Sequence, residues 1–234
     1  NVELQFPDGN SIYSRSKVVY HDISFPNDIA INSGDKVILT IPSALQFRTG
    51  YSVNVYNPNN EVVGIAQVDP KNNSVVTTFN HYFEDHPIGK YMNLELDTLY
   101  SEALKGGEKL HLNFNGRVVN VTVGSANPIP SDEVIAKWGS QDKNDPTLIN
   151  WGMRLNYARR VLNNLQLIDT WSDNQRFVDN SLELRYIDSA EPWVDKGSAM
   201  ELIKSFSHDD TKFELNLGRL DRMVYVWYQT RLTN

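Results

Sequence analysis

The sequence predicts an all-β chain built as two β-sandwich domains in tandem. Three observations carry this. Short apolar runs recur along the whole chain and stop at Gly, Pro, Asn or Asp. Asn115-Gly116 falls between two such runs, where a two-residue hairpin turn places that pair. The third observation is uneven composition. All five tryptophans (Trp138, Trp151, Trp171, Trp193, Trp227) follow residue 130, whereas four of the five histidines (His21, His81, His86, His111) precede it. Between the halves lies Gly124-Ser125-Ala126-Asn127-Pro128-Ile129-Pro130-Ser131, a short, stiff, proline-containing linker. The expected organisation is therefore a first domain over 1–124, a linker over 125–130 and a second domain over 131–234.

The first half reads as strands at 37–41, 51–56, 62–68, 74–79, 91–96, 110–114 and 118–123. Each is closed by a breaker: Pro42, the Asn57-Pro58-Asn59-Asn60 cluster, Asp69-Pro70. The run at 110–114 alternates cleanly, with Leu110, Leu112 and Phe114 on one face and His111 and Asn113 on the other. A single helical turn is expected at 98–104, ended by Gly106-Gly107. The second half repeats the grammar, with strands at 134–138, 148–155, 165–169, 181–187, 212–217 and 223–231 and short helices at 157–165 and 199–206. Along 223–231, period two sets Val224, Val226 and Tyr228 on one face and Tyr225 and Trp227 on the other. The second pair is either buried under a loop or the other domain, or part of a ligand-contacting face.

Composition excludes several classes. The 234 residues carry 22 Lys and Arg against 29 Asp and Glu, a formal net charge of −7, shared between the halves as 9 against 13 up to residue 124 and 13 against 16 after it. No basic stripe favours nucleic acid. No apolar run is long enough to insert into a membrane, and Asn1-Val2-Glu3-Leu4 shows no leader pattern. With no cysteine, a disulfide scaffold, a thiol nucleophile and a thiolate zinc site are excluded. Gly-x-Ser-x-Gly, a phosphate loop, a dinucleotide fingerprint and His-Glu-x-x-His are all missing, so neither an enzyme nor a cofactor is expected. His81 and His86 flank Glu84 and Asp85, which admits a metal site or a polar loop; the loop is the preferred reading. Asn72-Asn73-Ser74 and Asn120-Val121-Thr122 are glycosylation sequons that matter only in a eukaryotic secreted protein.

The run Ile31-Asn32-Ser33-Gly34-Asp35-Lys36-Val37-Ile38-Leu39-Thr40-Ile41-Pro42 resembles the first Ig-like subdomain of Gram-positive matrix adhesins, the MSCRAMM family. Residues 62–66 and 75–83 continue the likeness. The second half resembles the partner subdomain of collagen-binding members, through 135–139, 149–156, 162–170 and Tyr228-Gln229-Thr230. The resemblance implies two variant Ig-like sandwiches (the DEv-IgG type) and a monomer at the bacterial cell surface, anchored through a region outside this chain. It implies a host matrix partner of the collagen or fibrinogen class, gripped in a groove between the domains. An extended guest is expected to add a strand near 222–231, with Tyr225, Trp227 and Arg231 as candidate ligand-binding residues. The family often carries a Lys–Asn isopeptide bond promoted by a buried acid, and the matching positions are Lys137, Asp169 and Asn234. Two other functions stay open: a structural stalk or pilus module without its own ligand, and a glycan-binding or glycan-cleaving module.

Overall fold

The computed structural model describes residues 1–233. It divides into two compact units, Asn1–Asn127 and Pro128–Asn234. No helix of the described residues is long and apolar enough to cross a membrane.

The first unit contains β1 (Val2–Gln5), β2 (Arg15–Phe25), β3 (Lys36–Thr40), β4 (Leu45–Phe47), β5 (Tyr51–Tyr56), β6 (Val62–Asp69), β7 (Ser74–Phe79), α1 (Tyr82–Asp85), β8 (Lys90–Tyr100), β9 (Lys109–Phe114) and β10 (Arg117–Thr122). The main path runs β1-β2-β8-β5-β6-β7-β3, with β4 also on β8. Only Tyr56 opposite Asn93 joins β5 to β8, so the path is two sheets hinged at one point. Their inner faces share one core, with Val18, Phe47, Val55, Val63, Val75, Met92 and Leu96 fully buried. In β8 every second residue is buried, as a half-covered strand requires. β9 and β10 form a hairpin through Asn115-Gly116, both at positive φ, the conformation its turn demands.

The unforeseen long strand is β2. Its period-two pattern breaks at His21-Asp22, where the register against β8 slips between Tyr20 and Ile23 and Asp22 adopts φ 53°. That bulge hides the strand from a periodicity reading. The helical turn expected at 98–104 is absent. β8 runs on to Tyr100 because Thr98 is fully buried and bonds Ser16 at 2.7 Å across the sheet.

The second unit contains β11 (Ile135–Gln141), β12 (Leu148–Leu155), β13 (Leu162–Thr170), β14 (Gln175–Phe177), β15 (Glu183–Ala190), β16 (Trp193–Ser198), a 3₁₀ turn (Met200–Leu202), β17 (Ser205–His208), β18 (Lys212–Leu220) and β19 (Val224–Leu232). One sheet runs β11-β12-β19-β15-β16, with β14 on the end of β19; the other runs β13-β18-β17. Met153, Leu155, Leu184, Phe213, Leu215, Val224, Val226 and Tyr228 fill the space between them.

Three expectations change here. The helix at 157–165 is instead a turn followed by β13, because Asn156, Arg159 and Asn164 all take left-handed φ, which no helix continues through. The helix at 199–206 shrinks to the 3₁₀ turn before β17. Strand addition near 222–231 has no free edge to use. β19 lies inside its sheet, paired with β12 on one side and with β14 and β15 on the other.

Candidate ligand-binding face

Because β19 is central, its two faces meet different surroundings. Val224, Val226 and Tyr228 enter the core. Tyr225 and Trp227 emerge on the outer face, where they join Ile187, Met223 and Tyr157 in a separate apolar cluster.

The cross-strand register builds that face row by row. Trp138 stands opposite Gly152, and Gly152 opposite Trp227. In the next row Ala136 pairs with Arg154 and Arg154 with Tyr225. Trp138 lies flat across Gly152: a Cβ there would sit 2.6 Å from the indole. The reciprocal arrangement occupies the inner face, where a Cβ on Gly139 would sit 2.5 Å from the Trp151 ring. Two Trp-Gly dipeptides in antiparallel register therefore each use the other's glycine as a seat.

Tyr225 forms the floor of the outer face and is only 5% exposed. Trp193 stands edge-on to it at 4.9 Å, Trp138 lies 5.8 Å away and Trp227 5.7 Å. The two outermost rings are Trp193, 48% exposed, and Trp138, 42% exposed. Of the expected contact residues, Tyr225 is buried and Trp227 half-buried, while Trp138 and Trp193 meet solvent. Exposed indoles over an apolar floor are good anchors for an apolar guest.

A cation is built into the same face. Arg154 bonds Glu133 through two nitrogens at 2.6 and 3.0 Å and reaches the Tyr225 hydroxyl at 3.3 Å. Its guanidinium also lies 5.6 Å from the Trp138 ring. The hydrogen bond to Glu133, helped by that to Tyr225, raises the Arg154 pKa above its ordinary value against the cost of burial. Arg154 is a permanent, oriented charge.

Arg231 shares the outer-face parity of Trp227 but lies four residues on, about 13 Å along the strand. It is held by Asp145 at 3.0 Å and Thr147 at 2.8 Å, away from the aromatic group. Bonds from Thr147 and Arg231 pull the Asp145 carboxyl down to about 2.

The inner face of the same sheet brings Lys137 and Asp169 together. The Lys137 ammonium donates to Asp169 Oδ1 at 2.8 Å and lies 4.4 Å over the Trp151 ring. The Tyr228 hydroxyl donates to Asp169 Oδ2. Burial first, and that hydrogen bond second, push the Tyr228 phenol far above its ordinary range. Asn234 lies outside the described residues.

In the first unit, His81 bonds Glu84 at 3.0 Å, which raises the His81 pKa and lowers that of Glu84. His86 stacks on Tyr82 at 4.2 Å. Each histidine has its own partner, and α1 replaces the expected loop.

Residues 132–234 match the family model for a collagen binding domain, and residues 13–99 match that for a bacterial Ig domain. A wall-associated protein of Streptococcus mutans serotype c is 27% identical over 230 residues, which is 92% of this chain and 51% of that protein. The chain thus spans about half the length of this curated relative. Three solved structures share the fold over the whole chain. The collagen binding domain of Erysipelothrix rhusiopathiae surface protein RspB has a TM-score of 0.60 at 17% identity, with 80% of it covered. The collagen adhesin CNA from S. aureus gives 0.63 at 14%, with 82% covered. The Enterococcus faecalis MSCRAMM ACE, said to bind its ligands by a collagen hug, gives 0.60 at 18%, with 82% covered. The two units are tandem Ig-like β-sandwiches.

Proposed function

We propose, for a chain that belongs to the Gram-positive collagen-binding adhesins, that it holds a host matrix protein of the collagen class against the outer face of β11, β12, β19 and β16. This family is one of binding domains rather than enzymes. The observation that carries the reading is the exposed pair Trp138 and Trp193 over the Tyr225 floor, with Arg154 fixed beside them. Collagen is three polyproline-type strands with solvated carbonyls. Prolyl rings stack on indole faces, and a fixed guanidinium edge serves a carbonyl. The chain works at the bacterial surface as part of a longer wall-associated protein, as a monomer, without entering a membrane.

The guest is gripped between the two domains, as the family resemblance implies. Fibrinogen is the competing ligand. Surface plasmon resonance of the whole chain over immobilised triple-helical collagen and over fibrinogen tests the assignment. Saturable binding to collagen, abolished by heat-denaturing the triple helix, is the expected result; binding to fibrinogen alone overturns it. Lengthening the linker at 125–130 should weaken collagen binding, and an unchanged affinity would remove the grip between domains.

A second reading concerns the inner face. We propose that Lys137 and Asn234 form an amide bond with Asp169 as the assisting acid. The Lys137 amine attacks the Asn234 carboxamide carbon and ammonia leaves, so intact mass falls by about 17 Da. The meeting of Lys137, Asp169 and Tyr228 supports it. An unshifted mass sinks it.

A further inference from the structure

We propose that the end of the second unit formed by the β12–β13 and β18–β19 connections binds a sulfated polysaccharide. This surface adjoins the aromatic face at Tyr157 and Met223 but uses other residues and does not depend on the collagen reading.

The organiser is Asn156, fully buried. Its amide nitrogen donates to Arg160 O at 2.8 Å and to Arg222 O at 3.2 Å, while its Oδ1 accepts from Arg160 N at 2.9 Å. One side chain thereby pins the two connections together. Asn156 and Arg159 both take left-handed φ, 64° and 53°, and the chain turns so that Arg159 and Arg160 stay exposed. Arg219, at the end of β18, and Arg222, on the connection that follows it, are exposed too. Four of the chain's 11 arginines thus lie on the two tied loops or the strand end that leads into one of them.

Arg219 and Arg222 each meet a carboxylate, while Arg159 and Arg160 keep their charge unpaired. Arg159 donates to two carbonyls, Tyr157 O at 2.6 Å and Asp188 O at 2.5 Å. Arg222 lies 3.9 Å over the Tyr186 ring and 3.4 Å from Asp188. Arg219 pairs with Asp221 at 2.9 Å. The side chain of Lys204 lies across Gly218, beside Arg219. Glu201 accepts the Tyr186 hydroxyl at 2.7 Å. The five cations Arg159, Arg160, Lys204, Arg219 and Arg222 meet three carboxylates, Asp188, Asp221 and Glu201, which leaves two positive charges in a chain of net charge −7.

The geometry favours sulfate groups on a sugar chain. Arginine forks bind sulfate oxygens two at a time, and a guanidinium already fixed on carbonyls, as that of Arg159 is, loses little freedom on binding. A nucleic acid needs open rings on which bases stack. Here Tyr186 is covered by Arg222, and Tyr157 has Arg154 and Arg159 against it. A bilayer needs apolar residues to insert, and the loop tip offers only Val161.

The test is binding of the whole chain to a heparin oligosaccharide. Affinity should fall about tenfold or more between ~50 and ~200 mM salt, as bound counterions cease to be released. The double variant Arg160→Glu, Arg219→Glu should lose about tenfold or more at low salt, and Arg160→Gln should lose less. Unchanged circular dichroism and melting show that the variants fold. Three outcomes overturn the proposal: equal binding by wild type and the double variant, equal binding of desulfated heparin, or equally tight, equally Arg160-dependent binding of single-stranded DNA or anionic phosphatidylglycerol vesicles.

Discussion

The two units are both antiparallel sandwiches, yet they spend their outer faces differently. In the first unit the exposed apolar residues are mostly aliphatics, such as Ile38 on β3 and Ile65 on β6, together with three tyrosines, Tyr13, Tyr56 and Tyr91. In the second, aromatic rings from three strands, β11, β16 and β19, gather on one face, with the Arg154 cation of β12 against two of them. Their interiors differ in the same way. The buried charge of the first unit, Lys90, ends on the carbonyls of Pro87 at 2.7 Å and Asn27 at 3.5 Å, and so ties two loops. The second unit runs a polar chain from Lys137, exposed on the edge strand β11, to the buried Asp169 and Tyr228. The same architecture thus carries different surfaces and different buried polar groups in its two copies.

Substitutions can break or sharpen this contrast. The largest effect should come from Asp169→Ala. It leaves the buried Tyr228 hydroxyl without its acceptor, at a cost of about 2 kcal/mol, while the Lys137 ammonium turns to solvent. Calorimetry should show the second unit melting earlier and the first unchanged; a shift in both would mean that the polar chain is not local. Next is Trp193→Ala. Nearly half exposed, it should leave melting untouched and weaken collagen binding about tenfold, the scale of one aromatic anchor. Gly152→Ala follows, because its Cβ must push Trp138 off its seat, and a loss of about threefold in affinity is expected in the same assay. Ile65→Lys, on the outer face of the first unit, is the control. Stability should stay within about 0.5 kcal/mol and binding should not change.

The smallest effect is acid-dependent. Asp145 titrates at about 2 in the folded chain against an ordinary 3.8. A lowered carboxylate pKa contributes stability that is present above about pH 4 and lost as pH falls through about 2. Wild type and Asp145→Asn should therefore differ in urea unfolding at pH 5 and converge near pH 2.

How far the sequence revealed this follows from particular residues. The alternation of Val224, Val226 and Tyr228 against Tyr225 and Trp227 is strictly local and could be read directly. Strand β2 could not, because one left-handed Asp22 breaks its period. Trp138, Trp193 and Arg154 were overlooked for another reason: a face is assembled by register between strands far apart in the chain. One local signal was available. Trp138-Gly139 and Trp151-Gly152 repeat the same dipeptide on adjacent strands, and a glycine in a strand marks a close approach. The free edge expected near 222–231 failed because local pattern does not tell a central strand from an edge strand.

The account rests on the aromatic outer face of the second unit, and one measurement addresses it most directly. The whole chain carrying Trp138→Ala and Trp193→Ala is compared with wild type over triple-helical collagen by surface plasmon resonance, with melting monitored in parallel. The account predicts unchanged melting and a loss of affinity of about thirtyfold or more. Unchanged affinity in a fully folded double variant would contradict it.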